Sequence, residues 1–146
     1  MTDHPAALDL AQAKAILDGV FAKAAEMGCR PLTAAVLDAG GHLLALHRQD
    51  GSPPLVAKVV QGKAGAAIGF NTNSRHLAGL AERSPTFVNA LVGMTQGTFV
   101  PVPGGVLIKD AAGRTSGAVG VGGDTPDNDE LCAKAGIAAA GLAAGD

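Results

Sequence analysis

Arg48 and Asp50 stand one residue apart in HRQDGSPP (47–54), and Lys63 stands inside VAKVVQGKAGAAIGF (56–70). Two cations and a carboxylate are the components needed to hold a small carboxylate and to move a proton beside it. Lys63 has Val59, Val60, Ala64 and Ala67 as neighbours, so its ammonium either snorkels to solvent or meets a buried anion. A further carboxylate, Asp127, lies in GAVGVGGDTPDNDE (117–130), where a glycine-rich apolar stretch runs into Pro126 and four acids.

That stretch invites a phosphate-binding reading, which its details oppose. A dinucleotide fingerprint places three glycines as G-x-G-x-x-G between a strand and a helix, whereas Gly120 and Gly122 are followed by Thr125. Asp124, Asp127, Asp129 and Glu130 already occupy the helix start where a phosphate would sit, and they favour that helix end electrostatically while repelling an anion. DTPDNDE does not spell a calcium loop either. The stretch reads as a strand end, a glycine turn and a proline-started helix, with bare N–H groups on a pocket rim.

The four histidines do not assemble a metal site by spacing, and the sequence identifies no metal. His4 precedes the first helix. His42 and His47 occupy one strand at odd separation, so they point to opposite faces, and His76 lies beside Arg75 on a helix surface. Cys29 and Cys132 belong to no C-x-x-C pattern and read as small buried or half-buried fillers, with no disulfide framework. No nucleophile elbow (G-x-S-x-G) or zinc-protease motif (H-E-x-x-H) occurs.

The chain of 146 residues has the length of one domain, 1–146. Its net charge of −2 and scattered basic residues give no cationic footprint for nucleic acid or an anionic membrane. Its apolar runs are too short to span a bilayer. MTDHPAALDL lacks the basic start and apolar run of a secretory signal, so the cytoplasm is the expected compartment.

The elements that must position these residues follow from periodicity. Asp9 and Gln12 cap a helix whose apolar spacing continues from Leu10 to Met27, ending at Gly28. TAAVLD (33–38) and HLLALHR (42–48) read as a hairpin. A helix spans 55–70, with Gly62, Gly65 and Gly69 on one face open to close approach by another backbone. Short helices follow at 73–83 and 85–93, the latter with Ser84 as cap and Pro85 at its first position. TFVPVP (98–103), GGVLIKD (104–110) and RTSGAVGVGG (114–123) read as three strands, and a last helix, capped by Thr125, covers 126–144. This order suits a five-stranded, largely antiparallel sheet with helices packed on it.

AAVLDAGGHLLALHRQDGSPP, KAGAAIGF and VPVPGGVLIKDAAGRTSGAVGVGGDTPDNDELCAKAGIAA, taken together over residues 8–142, resemble the GlcG/HbpS family, which includes the carboxy-terminal domain of PduO-type corrinoid adenosyltransferases. The resemblance implies a profilin-like three-layer α/β/α fold on a five-stranded antiparallel sheet, and assembly into a homo-oligomer. It implies association with haem, corrinoid chemistry or iron, often within catabolic operons. The family pocket maps to Arg48, Asp50 and Gly51, to Gly104 and Gly105, and to Gly122, Gly123 and Asp124. Gln49 stands where members commonly have methionine and Gly122 where they have serine, and 70–89 departs from the pattern.

Two functions follow as expectations. The first is a binding module for haem or a small anionic ligand, with Arg48 and Lys63 on the propionates and His47 or His42 as axial ligand. The alternative is an enzyme acting on a small carboxylate or keto compound, with Asp50 or Asp127 moving the proton and glycine N–H groups stabilising an oxyanion.

Overall fold

The structure, a computed structural model, describes residues 6–146; His4 lies outside the described residues. Helix α1 (Leu10–Met27) begins with a full capping box, in which the Asp9 carboxylate accepts from the Gln12 N–H and the Gln12 side chain accepts from the Asp9 N–H. Strands β1 (Thr33–Asp38) and β2 (Leu43–Arg48) form the hairpin. Helix α2 (Val56–Phe70) follows, then a 3₁₀ turn (Ser74–Leu77), a single helical turn α3 (Leu80–Arg83) and α4 (Pro85–Met94). Strands β3 (Gly105–Lys109) and β4 (Thr115–Gly122) precede α5 (Pro126–Ala139) and a two-residue strand β5 (Ala143–Ala144).

The five strands form one antiparallel sheet in the order β2-β1-β4-β3-β5. Because side chains alternate across a strand, the central strands serve two cores. Ala34, Val36, Val106, Ile108, Val119 and Val121 face α1 and α5, packing on Ile16, Leu17, Val20 and Ile137. Leu37, Leu107 and Ala118 face α2, against Ala64 and Ala67. The result is a three-layer α/β/α arrangement with α1 and α5 on one side and α2 on the other.

The glycines explain how closely these layers approach. A Cβ on Gly120 would overlap the Val60 carbonyl of α2, and one on Gly105 would overlap the Lys63 carbonyl. On the other face of α2, a Cβ on Gly65 would lie 2.7 Å from the Thr98 carbonyl oxygen, and Gly62 would meet Val100. Gly69 has nothing within 4 Å, so of the three α2 glycines Gly65 receives a neighbouring backbone, Gly62 a valine side chain and Gly69 neither.

Three boundaries differ from the sequence expectation. Residues 98–103 form no strand: Pro101 and Pro103 remove ladder donors, and the Val100 N–H instead bonds the Gly62 carbonyl of α2. The fifth strand comes from the chain's end, since α5 stops at Ala139 and β5 pairs with Ile108 and Lys109 of β3. The helix expected over 73–83 splits into the 3₁₀ turn and α3, because Asn73 and Ser74 spend their side chains on β3, where they accept from the Leu107 and Gly105 N–H groups.

Gly120→Ala is expected to lower the urea-unfolding free energy by about 3 kcal/mol through overpacking, whereas Gly69→Ala is expected to raise it by about 0.5–1 kcal/mol through helix propensity. Equal effects at the two sites would contradict the close-approach account.

Candidate functional site

The start of β1, the end of β2, the end of β4 and the first turns of α2 and α5 converge at one end of the sheet. Thr33 pairs with Arg48 on one side and Gly122 on the other. The turn after β2 is held by the Thr33 and Ser52 hydroxyls, 2.8 Å apart, and by Gln49, whose Oε1 accepts from the Leu32 N–H at 2.7 Å. Gly51 adopts φ 89°, a left-handed conformation that favours glycine. Across this turn lies an open depression of about 590 Å³ lined by Cys29, Pro31, Arg48, Gln49 and Asp50.

Arg48 donates through Nη1 to the Ser52 carbonyl at 3.2 Å, and no carboxylate pairs with it among the described residues. Arg30, Arg75 and Lys63, by contrast, are each engaged with acids. Arg48 and Asp50 therefore meet in the depression, with a guanidinium free to take an anion.

Lys63 resolves to the buried alternative. Its Nζ is 3.0 Å from Asp129 Oδ2 and 2.9 Å from the Val121 carbonyl, and both charged side chains are almost fully enclosed, at 4% and 2% exposure. Gly104 makes room for the ammonium, since a Cβ there would lie 2.9 Å from Nζ, whereas one on Gly122 would press on Val56 and Val60 at 3.1 Å and only touch Nζ at 3.8 Å. Asp129 also accepts from the Asp124 N–H at 3.0 Å. Burial holds the Asp129 carboxyl above its ordinary value, while Lys63 pulls in the opposite direction. Lys63, Gly104, Gly105 and Gly122 thus form one cluster, and the charge of Lys63 is already neutralised within it.

The remaining candidates lie elsewhere. Gly123, at φ 125°, packs against the Pro31 carbonyl and Leu32. Asp127 pairs with Arg75, which also bonds Glu130 at 2.9 Å; this places Asp127 on the 3₁₀-turn side of α5 rather than beside Asp50. His42 precedes β2 and bonds Asp38 at 3.2 Å. His47 stacks on Phe21 of α1, with ring centroids 6.4 Å apart, so it faces the opposite side of the sheet edge from Arg48. His76 is exposed, its ring at 3.1 Å from the Asp146 carbonyl. No group of three or more metal-ligating side chains occurs among the described residues, and no described helix is long and apolar enough to cross a membrane.

Sequence reading missed Cys29, Pro31 and Gln49 as lining residues, because only the fold brings 29–31 beside 48–50. It also missed the rim contact of Asp124, which accepts from the Arg30 N–H at 3.0 Å. That bond, with the Asn128 side chain and the Thr125 N–H, holds the Asp124 carboxyl well below the usual carboxylate range.

A five-stranded antiparallel sheet between α1 and α5 on one side and α2 on the other defines the fold class. The chain belongs to the HbpS-like family, described as haem-degrading protein HbpS-like, whose model matches residues 8–138. The crystal structure of HbpS superposes with TM-score 0.79 at 28% identity, covering 94% of this chain and 92% of that one. The PduOC–haem complex superposes at 0.83 with 20% identity over 97% of this chain and 100% of that one, and Klebsiella pneumoniae protein ORFY at 0.82 with 22% identity over 97% of each. At those lower identities the likeness is one of fold. No curated protein matches the chain in sequence.

Lys63→Met strands Asp129 and is expected to cost about 3–5 kcal/mol in chemical unfolding, with Lys63→Met/Asp129→Asn recovering at least half of it; additive losses would contradict the pairing. Asp124 titrates below its ordinary value of 3.8, so the stability it contributes is complete above that pH and is lost as pH falls through the folded value. Asp124→Asn is therefore expected to lower thermal stability at pH 7 while leaving a shallower loss below pH 4 than the wild type shows.

Proposed function

We propose that the protein binds haem, or a related anionic small molecule, at the Arg48 depression, as a homo-oligomeric member of its family. The observation that carries this reading is an Arg48 guanidinium that has no carboxylate partner among the described residues and lies in an open depression, in a chain whose family model is described by haem degradation. The HbpS neighbour and the haem complex of PduOC support the ligand class.

The residues present fit the carboxylate edge of haem. Arg48 supplies a planar, permanently charged donor suited to a propionate, and Pro31 gives an apolar contact beside it. Lys63 is a structural cation in this reading, and His42 and His47 do not line the depression. Bound haem would supply its iron chemistry there; the chain's own part is to hold the propionate edge. The open side of the depression leaves the porphyrin face to be covered by a second copy of the chain, and Leu55, 68% exposed at the end of the same turn, is suited to that contact.

The alternative, an enzyme for a small carboxylate or keto compound, rests on the same depression. Arg48 would bind the carboxylate and Asp50 would move the proton.

Haemin titration followed at the Soret band separates them. Saturable binding weakened about tenfold by Arg48→Ala, with partial recovery in Arg48→Lys, supports the haem reading. A wild-type protein that shows no saturable change would overturn it and transfer the depression to a smaller carboxylate.

A further inference from the structure

The two edges of the sheet differ in how their backbone groups are satisfied. On the outer side of β3, the Gly105 N–H donates to Ser74 Oγ at 2.8 Å and the Leu107 N–H to Asn73 Oδ1 at 2.9 Å. The Leu107 carbonyl accepts from the Gly145 N–H at 2.8 Å, and β5 pairs with Ile108 and Lys109. That edge offers no row of free donors and acceptors. The other edge is β2 (six residues), which pairs with β1 alone.

Which groups β2 leaves free follows from its register. Just beyond the strand, the Gln49 N–H bonds the Leu32 carbonyl at 3.0 Å. Antiparallel alternation then turns the backbone groups of His47 and Ala45 toward their β1 partners, Ala34 and Val36, and those of Leu46 and Arg48 outward. Among the described residues no hydrogen bond reaches these outward N–H and C=O groups. The strand also lacks the devices that blunt an edge. From Leu43 to Leu46 it carries neither proline nor charge, and its irregular pairing lies at the hairpin end, beside Val36 and Leu37.

We infer that β2 pairs with β2 of a second copy of the chain, antiparallel about a two-fold axis at Leu46, so that the five strands of each copy join in one sheet. A row of free backbone donors and acceptors is matched by an extended strand, and every copy presents the same one. Centred on Leu46, the pairing sets Leu46 against Leu46 and Arg48 against Leu44. It keeps the two Arg48 residues about 14 Å apart along the strands, beyond the screening length at physiological salt. The pairing also closes: the joined sheet ends at β3 and β5 in both copies, where side chains and the chain's last residues already occupy the edge. Each Arg48 depression is then bordered by the second copy's β2, and a ligand held there touches both chains. That consequence rests on the function proposed above; the pairing itself does not.

The test uses the whole chain without haem, so its outcome is independent of the ligand. Light scattering after gel filtration is expected to give an even multiple of the 14.3 kDa chain mass. Residue-resolved amide exchange is expected to be slow at Leu46 and Arg48 as well as at Ala45 and His47. Leu46→Pro removes an outward donor while leaving the ladder to β1 intact, and it is expected to reduce the assembled mass to about half or less. Leu46→Lys keeps the donor but sets like charges opposite each other across the axis, and the same loss is expected. A monomer at every concentration, an odd multiple of the chain mass, a mass unchanged in both variants, or an assembly whose Leu46 and Arg48 amides exchange as fast as an exposed loop would each overturn the inference. The wild-type exchange map decides the question even where a variant fails to fold.

Discussion

The ion pair between Lys63 and Asp129 is the constraint on which the arrangement at this end of the molecule depends. Lys63 belongs to α2 and Asp129 to α5, and these helices lie on opposite faces of the sheet. For the ammonium to reach the carboxylate, the turn leading into β3 must present no side chain, and Gly104 meets that requirement. A pair this deeply enclosed gains little net stability over an apolar replacement, but breaking it by removing one partner is costly. Its consequence here is registry: α2, β3, β4 and α5 are fixed relative to one another at the point where the β2 turn and the start of β1 build the Arg48 depression.

The glycine-rich strands take their meaning from the same constraint. Gly105 and Gly120 let the α2 backbone lie directly on the sheet, and Gly62 and Gly65 let the segment at 98–100 lie directly on α2. Glycine is thus spent on layer spacing, not on cradling phosphate. The acids of DTPDNDE are likewise engaged: Asp124 binds the Arg30 backbone, Asp127 and Glu130 bind Arg75, and Asp129 binds Lys63. Arg48 and Asp50 line the depression without an ion-pair partner among the described residues, and Arg48 is the cation of the two, which is why anion binding is assigned to it and structural duty to the neighbouring cluster.

Much of this was legible in the sequence, for reasons that are local. The Asp9–Gln12 capping box, the β1–β2 hairpin, Pro85 at the start of α4 and Thr125 capping α5 are encoded within a few residues of each element. Lys63 among apolar neighbours left two outcomes open, a snorkelled ammonium or a buried anion partner, and nothing local chose between them or among the four acids of 124–130. What stayed hidden depends on distant chain segments. Strand β5 forms from AA in GLAAGD through backbone pairing to Lys109 and Ile108, with no side-chain pattern to reveal it. The alternating residues of TFVPVP resemble a strand until the prolines and the Gly62 carbonyl are considered. Cys29 beside Arg48 is a product of topology alone.

The most direct measurement is an amide chemical-shift map of the ¹⁵N-labelled protein titrated with gallium protoporphyrin, a diamagnetic haem analogue carrying the same propionates. If Arg48 takes the ligand and the glycine–lysine cluster holds the layers, the shifts will centre on residues 29–31 and 48–52. Shifts centred on Gly104, Gly105 and Gly122, with the depression unmoved, would contradict that division of labour.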